Sequence, residues 1–69
     1  MFTMHEVVRT RRDIPELSVK QGMTGTVVAT FVQPSKAYEV EFVDEAGATT
    51  LLTTLSEEDI EPIDVGASG

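Results

Sequence analysis

Hydrophobic and polar residues alternate in the middle of the chain. Between Ala37 and Val43, one set of positions is apolar and the intervening set is acidic, namely Tyr38, Val40 and Phe42 against Glu39 and Glu41. A period of two residues is typical of a β-strand with one buried and one solvated face. We therefore predict a strand here, with its three apolar side chains in the core.

The preceding segment, Thr24 to Val32, is rich in valine, threonine and phenylalanine, which favour strands. Both of its faces carry apolar atoms, and we favour Val27 and Ala29 as the core positions. Gly22 and Gly25 stand at its start, where glycine permits a positive φ or a close backbone approach.

Pro34 fits position i+1 of a type I turn over residues 33–36. The two strands are therefore predicted to form an antiparallel hairpin.

Three further short strands are predicted at Glu6 to Arg9, Ala48 to Thr54 and Ile60 to Ile63. Either Val7 or Val8 of the first strand should face inward. The segment 10–21 has no lasting periodicity, and we expect a long loop that places Ile14 and Leu17 over an open end of the core.

Two local sequence features indicate how the last three strands are connected. In the turn 44–47, Gly47 can supply a left-handed residue. Ser56 to Asp59 has the form of a capping box around a single helical turn, which Pro62 prevents from growing.

These elements predict an all-β fold, an SH3-like small five-stranded barrel with one short helical turn before the last strand. The rival fold, the oligonucleotide/oligosaccharide-binding barrel, needs longer strands and a helix between the third and fourth strands, and this chain has neither. We expect one domain over residues 1–63 and a flexible tail over residues 64–69.

The size and composition limit the chemistry that the chain can perform. A chain of 69 residues leaves no room for a deep catalytic cavity, and it contains no cysteine and a single histidine, His5. We expect no enzymatic activity, cofactor or metal. The start of the chain is too short and too acidic for a signal peptide, and no apolar run is long enough to span a membrane. A cytoplasmic protein without a membrane partner is expected.

Four segments taken together resemble the short bacterial proteins grouped as domain-of-unknown-function family 4926. They are Asp13 to Glu16 (Asp-Ile-Pro-Glu), Gly22 to Val28 (Gly-Met-Thr-Gly-Thr-Val-Val), Tyr38 to Asp44 and Leu55 to Ile63. The resemblance covers roughly Glu6 to Ile63. It implies an SH3-like barrel with no settled activity, and because some members lie beside toxin-like genes, it implies an antitoxin or immunity role. A weaker likeness, through the Gly-x-x-Gly-x-Val strand, is to KOW modules.

Charge is distributed unevenly. The net charge is −7; residues 1–36 hold five basic and three acidic residues, whereas residues 37–69 hold nine acidic residues and no basic one. Binding to a phosphate backbone needs lysine and arginine to release counterions. This balance disfavours nucleic acid as a partner.

Two charged clusters are candidate partner sites, each with a structural alternative. Glu39 and Glu41, followed by Asp44 and Glu45, form a docking patch for a basic partner such as a toxin enzyme, or a solvated face. The basic cluster consists of Arg9, Arg11 and Arg12. These arginines can bind a phosphate or a neighbouring copy of the chain. Alternatively, they pair with the carboxylates close to them in sequence, which are Glu6, Asp13 and Glu16.

An apolar strip is the third candidate. Val28 and Val32, if exposed beside Leu51 or Leu52, would form a surface for another protein. Two functions remain open at this point. The chain is a non-enzymatic protein-interaction module, with an antitoxin role as its most specific form, or it is a self-associating subunit whose strand faces are buried in a homo-oligomer.

Overall fold

The computed structural model describes residues 2–44 and 46–63 and consists of strands with two short 3₁₀ turns. Met1, Glu45 and the predicted tail at 64–69 lie outside the described residues. In chain order the elements are β1 (Val7–Thr10), a first 3₁₀ turn (Pro15–Leu17), β2 (Thr24–Phe31), β3 (Ala37–Val43), β4 (Thr49–Ser56), a second 3₁₀ turn (Glu57–Asp59) and β5 (Ile60–Pro62). The five predicted strands are confirmed, with ends that differ by no more than two residues.

All strand pairs in the sheet are antiparallel, and the order across it is β4-β3-β2-β1-β5. The sheet is open: β4 and β5 form its two edges. The predicted all-β architecture is confirmed, but the described strands do not close into a complete barrel.

The core lies on one face of this sheet. Its buried members come from every strand and from the segments around them: Phe2, Val8, Ile14, Val19, Val27, Tyr38, Val40, Phe42, Leu55 and Ile60. All three predicted core positions of β3 are confirmed. In β1 it is Val8 that is buried, whereas the side chain of Val7 is exposed.

The two glycines before and within β2 have the two roles predicted for them. Gly22 has a φ of +90°, which glycine adopts without a steric penalty. Gly25 instead permits close packing, because a Cβ atom there would lie 2.6 Å from Cγ1 of Val40 and 2.8 Å from the ring of Phe42. A side chain at position 25 would therefore force Val40 and Phe42 to shift in the core.

The pairing register of β2 with β3 shifts between Val27 and Ala29, which makes Val28 the extra residue of a β-bulge. Beyond the shift, Ala29 lies opposite Glu39 on the outer face, and the side chain of Ala29 is only half-buried. The predicted core position of Val27 is confirmed. That of Ala29 is wrong, because the bulge reverses the alternation between the two faces.

The long loop between β1 and β2 covers the core as predicted. Ile14 is buried and Leu17 packs against the core, and Val19, which pairs with Ile14 in an isolated bridge, is buried too. The hydroxyl of Thr10 fastens the loop, because it donates to the carbonyl of Lys20 and accepts from the N–H of Met23 at 2.8 Å.

The connections after β3 follow their local signals, whereas the connection before it does not. The chain reverses at 33–36 through a bend at residues 33–35 with a cis Gln33–Pro34 peptide bond, in place of the predicted type I turn with Pro34 at position i+1. Gly47 has a φ of +86°, and its N–H donates to the carbonyl of Asp44 at 2.9 Å. Ser56 and Asp59 form the predicted capping box of the second 3₁₀ turn.

Candidate functional site

The arginine cluster lies along β1 and the start of the following loop, beside β5. Arg9 is opposite Glu61 in the strand register, and its Nε and Nη2 donate to Oε2 of Glu61 at 3.0 and 2.8 Å. Nε of Arg11 lies 3.8 Å from the other oxygen of the same carboxylate. Glu61 therefore neutralises part of the positive charge of both arginines.

Arg12 is paired with a different carboxylate. Its Nε donates to Oδ1 of Asp59 at 2.7 Å, while Oδ2 of Asp59 accepts from the backbone N–H and the hydroxyl of Ser56 at 3.0 and 2.8 Å. Burial raises the pKa of Asp59, but the hydrogen bonds from Ser56 and Arg12 outweigh it and hold this pKa below its usual value. The same hydrogen bond raises the pKa of Arg12. Asp59 is thus an ionised, buried anchor for the loop.

The arginines pair with carboxylates, as one of the two predictions had it, but the ion pairs are not with the local partners predicted for them. Among those local carboxylates, Glu16 acts on Arg12 only through its charge, which raises the pKa of Arg12. Glu6 accepts instead from the N–H of Thr3, and Asp13 accepts from the N–H of Gln21. The ion pairs described for the arginines are with Glu61 and Asp59, which lie about fifty positions later in the chain. Each arginine side chain is nevertheless about half exposed, so that one side of the cluster still faces solvent.

The acidic candidates lie on the outer face of the sheet, away from the core. Glu39 is flanked by Ala29 and Thr54, and Glu41 is flanked by Thr26 and Leu52. Both glutamates are half-buried. The hydroxyl of Thr49 donates to Oε2 of Glu41 at 2.7 Å, and no ion pair involves either carboxylate within the part of the chain that the structure describes. Among the described residues, then, neither carboxylate on the outer face of β3 forms an ion pair.

The predicted apolar strip does not form. Leu51 is opposite Phe42 and packs against the core, while Leu52, half exposed, has Glu41 between it and β2. Val28 is half-buried in the bulge. The exposed side chain of Val32 follows the end of β2 instead, next to exposed Phe31.

The position of β4 at the edge of the sheet is not evident from the sequence. Strand order depends on long-range pairing, and the pattern within one strand does not reveal it. One signal was nevertheless present in the sequence: residues 49–56 contain no charged residue and no proline, the two residue classes that commonly protect an edge strand.

Over residues 2–44 and 46–63, no group of three histidine or acidic side chains is arranged to hold a metal ion. His5 has a φ of +67°, and its N–H donates to the carbonyl of Val27 at 2.6 Å. A shallow cavity of about 410 Å³ is lined by Ser35, Lys36, Ser56, Glu57 and Glu58.

No helix among the described residues is long and apolar enough to cross a membrane.

Comparison with known proteins gives one family. The model of a domain of unknown function, DUF4926, matches residues 4–62. No curated protein and no solved structure matches the chain. Since the match covers most of the chain and includes all five strands, the chain belongs to the DUF4926 family.

Proposed function

We propose that the chain is a small non-enzymatic protein-interaction module, cytoplasmic in location, whose acidic sheet face binds a basic surface of another protein. The observation that carries this proposal is the difference between its two charged clusters. Arg9, Arg11 and Arg12 are paired with Glu61 and Asp59, whereas no described ion pair involves the carboxylates on the outer face of β3.

The half-buried positions of Glu39 and Glu41 strengthen this interpretation. A carboxylate that already has lost part of its hydration interacts more strongly with an incoming cation than a fully solvated one does. Both residues lie on a strand that is paired on each side, so the backbone that presents the two carboxylates is already ordered before a partner binds.

The basic partner is, in the most specific form of the proposal, a toxin-like enzyme. Enzymes that act on nucleic acids or phosphate esters carry positively charged clefts, and an acidic protein of this size can block such a cleft. The chain would then act as an antitoxin or immunity protein. The same charge argues against nucleic acid as a partner, and weak retention on heparin at low salt is expected.

For the fold we infer an SH3-like barrel that is partly open. The strand order, the long loop between β1 and β2 and the 3₁₀ turn before β5 support this assignment. The middle strand β2 pairs with β1 through its first half and with β3 through most of its length, which allows the sheet to curl around one core.

The test is a crosslinking and affinity comparison of three proteins: the wild type, the double variant Glu39→Gln/Glu41→Gln, and the control Glu16→Gln/Glu58→Gln. Both doubles remove two negative charges, but the control residues are exposed and lie away from the outer face of β3. Proteins crosslinked by the wild type are purified, and their Kd is measured over a range of salt concentrations.

We expect a partner whose Kd rises about tenfold or more with the β3 double variant, and little with the control. Equal losses for the two doubles would mean that only the net charge matters. The absence of any protein that discriminates between them would contradict the proposal.

Self-association is the second candidate, and the exposed Phe31 and Val32 at the end of β2 favour it. In this case the chain is a structural subunit of a homo-oligomer. Light scattering over a range of concentrations decides: a monomer at all concentrations removes this candidate, and a dimer or ring that Phe31→Ser/Val32→Ser dissociates supports it.

A further inference from the structure

The two edges of the sheet differ in how well they are protected. The edge strand β5 is three residues long, ends in Pro62 and carries Glu61, which is paired with Arg9. Short length, proline and charge are the usual means by which an edge avoids pairing with another strand. The β5 edge therefore disfavours the addition of another strand.

The β4 edge has none of these protections. It is eight residues long, and its sequence Thr-Thr-Leu-Leu-Thr-Thr-Leu-Ser contains no charge and no proline. A register irregularity opposite Val43 affects only its beginning, and the pairing from Leu51 to Ser56 is regular. In an antiparallel ladder, alternate residues of an edge strand direct their N–H and C=O groups away from the sheet. The β4 edge is thus a template for one further strand.

The outer face next to this edge indicates the side chains that such a strand would carry. Leu52 and Thr54 are the outward-facing residues of β4, and directly behind them on β3 lie Glu41 and Glu39. Neighbouring strands are about 4.8 Å apart, so an added strand would run roughly 10 Å from the two carboxylates. A lysine or arginine side chain can cross this distance, with its methylene groups over half-exposed Leu52 and its cationic group near Glu41.

We propose that the β4 edge binds an extended segment of a partner protein that carries lysine or arginine at alternate positions. Glu39 and Glu41 are two residues apart on one face, and a strand with cations at every second position matches this spacing. The inference rests on the proposed function as a protein-interaction module, and it names the surface and the partner chemistry. A second copy of the chain fits less well, because its own β4 brings no cation to the two carboxylates.

The probe is a fluorescein-labelled ten-residue peptide in which lysine alternates with valine or threonine. A second peptide has the same sequence but is N-methylated at alternate amides, which removes the donors for strand pairing and keeps the charge. Anisotropy gives Kd, and hydrogen exchange followed by NMR reports which amides of the protein become protected on binding.

The matched protein variants are Leu52→Lys and Val7→Lys. Both residues lie on the outer face, at opposite ends of the row Val7, Thr26, Glu41 and Leu52, and both are about half exposed in the wild type. Each variant adds one positive charge, but only Leu52→Lys places it on β4. Far-UV circular dichroism and thermal melting confirm that each variant is folded.

We expect the peptide to bind the wild type and to slow exchange at alternate amides between Leu51 and Ser56. Leu52→Lys and Glu39→Gln/Glu41→Gln each raise Kd about tenfold, Val7→Lys raises it less than twofold, and N-methylation abolishes binding.

Four results would overturn the assignment to β4. Equal binding of the two peptides would show that strand pairing is not used. Protection of β4 amides in the absence of peptide, together with a dimeric mass, would identify a second copy as the occupant. Binding that depends on Glu39 and Glu41 but does not protect the β4 amides would remove the β4 assignment and leave the proposed function standing. A peptide Kd that does not depend on these carboxylates would contradict both proposals.

Discussion

Nε of Arg12 lies 2.7 Å from Oδ1 of Asp59, and this contact joins the long loop after β1 to the 3₁₀ turn before β5. The carboxylate is buried and the guanidinium is largely exposed. Asp59 also accepts two hydrogen bonds from Ser56, so that three donors share one carboxylate. The Asp59 side chain therefore links the loop to the turn, next to a backbone hydrogen bond in which the N–H of Arg11 donates to the carbonyl of Asp59 at 2.8 Å.

Replacing Asp59 with alanine is predicted to lower the free energy of unfolding by about 1–3 kcal/mol, because the capping box and the bond to Arg12 are both lost. Urea denaturation measures the change. Arg12→Met should be less harmful, since Asp59 keeps its bonds from Ser56. Glu58→Ala, an exposed change in the same turn, is the control; a loss as large as that of Asp59→Ala would contradict the role given to the carboxylate.

The stability contributed by Asp59 should depend on pH. Its pKa is lower in the folded protein than in the unfolded chain, so its contribution is complete above the unfolded value of about 4 and disappears as the pH falls through the folded pKa. Comparison of wild type and Asp59→Asn by urea denaturation at several pH values isolates this term from the other carboxylates. The difference in free energy of unfolding between the two proteins should be constant above pH ~5 and should become smaller below about pH 4. A constant gap down to pH ~2 would show that this pKa is not depressed.

Gly25→Ala is predicted to destabilise the protein by about 1–3 kcal/mol, because the new methyl group would overlap Val40 and Phe42 in a closely packed core. Thermal unfolding followed by circular dichroism gives the shift in Tm. Thr24→Ala, one residue earlier in β2 and exposed, serves as the control. If the two variants melted together, the core around Gly25 would have to be looser than the structure indicates.

The hydroxyl of Tyr38 joins two parts of the chain: it accepts from the N–H of Phe2 at 3.2 Å and donates to Oε1 of Glu57 at 3.0 Å. Tyr38→Phe keeps the ring, which packs edge-on against Phe2 at 5.3 Å, and removes only these bonds. We expect a loss of roughly 1–2 kcal/mol, chiefly from the buried N–H of Phe2. Chemical denaturation tests this, and Tyr38→Leu, which also removes the ring contact, should lose more.

The sequence predicted the strands well because their signals are local. Alternation in β3 identified its three core residues, and the glycines at 22 and 25 marked the start of β2. Features that depend on distant contacts were missed or misjudged. No residue near Val28 signals the bulge that turns Ala29 outward, and the partners of Arg9 and Arg12 follow from the β1–β5 pairing, which no local pattern reveals. Val19 and Leu55 are buried too, but each stands among polar residues, so no local pattern marks either as a core residue.

The pairing of β1 with β5 also has a kinetic consequence. Val8 lies opposite Pro62, so this ladder closes a loop that includes nearly the whole described chain, whereas β2, β3 and β4 are joined by short connections. Folds dominated by contacts distant in sequence fold slowly, on the order of milliseconds to seconds. We expect the three-stranded meander to form early and the β1–β5 ladder to form last, so that in stopped-flow refolding Val27→Ala slows folding whereas Ile60→Val mainly accelerates unfolding.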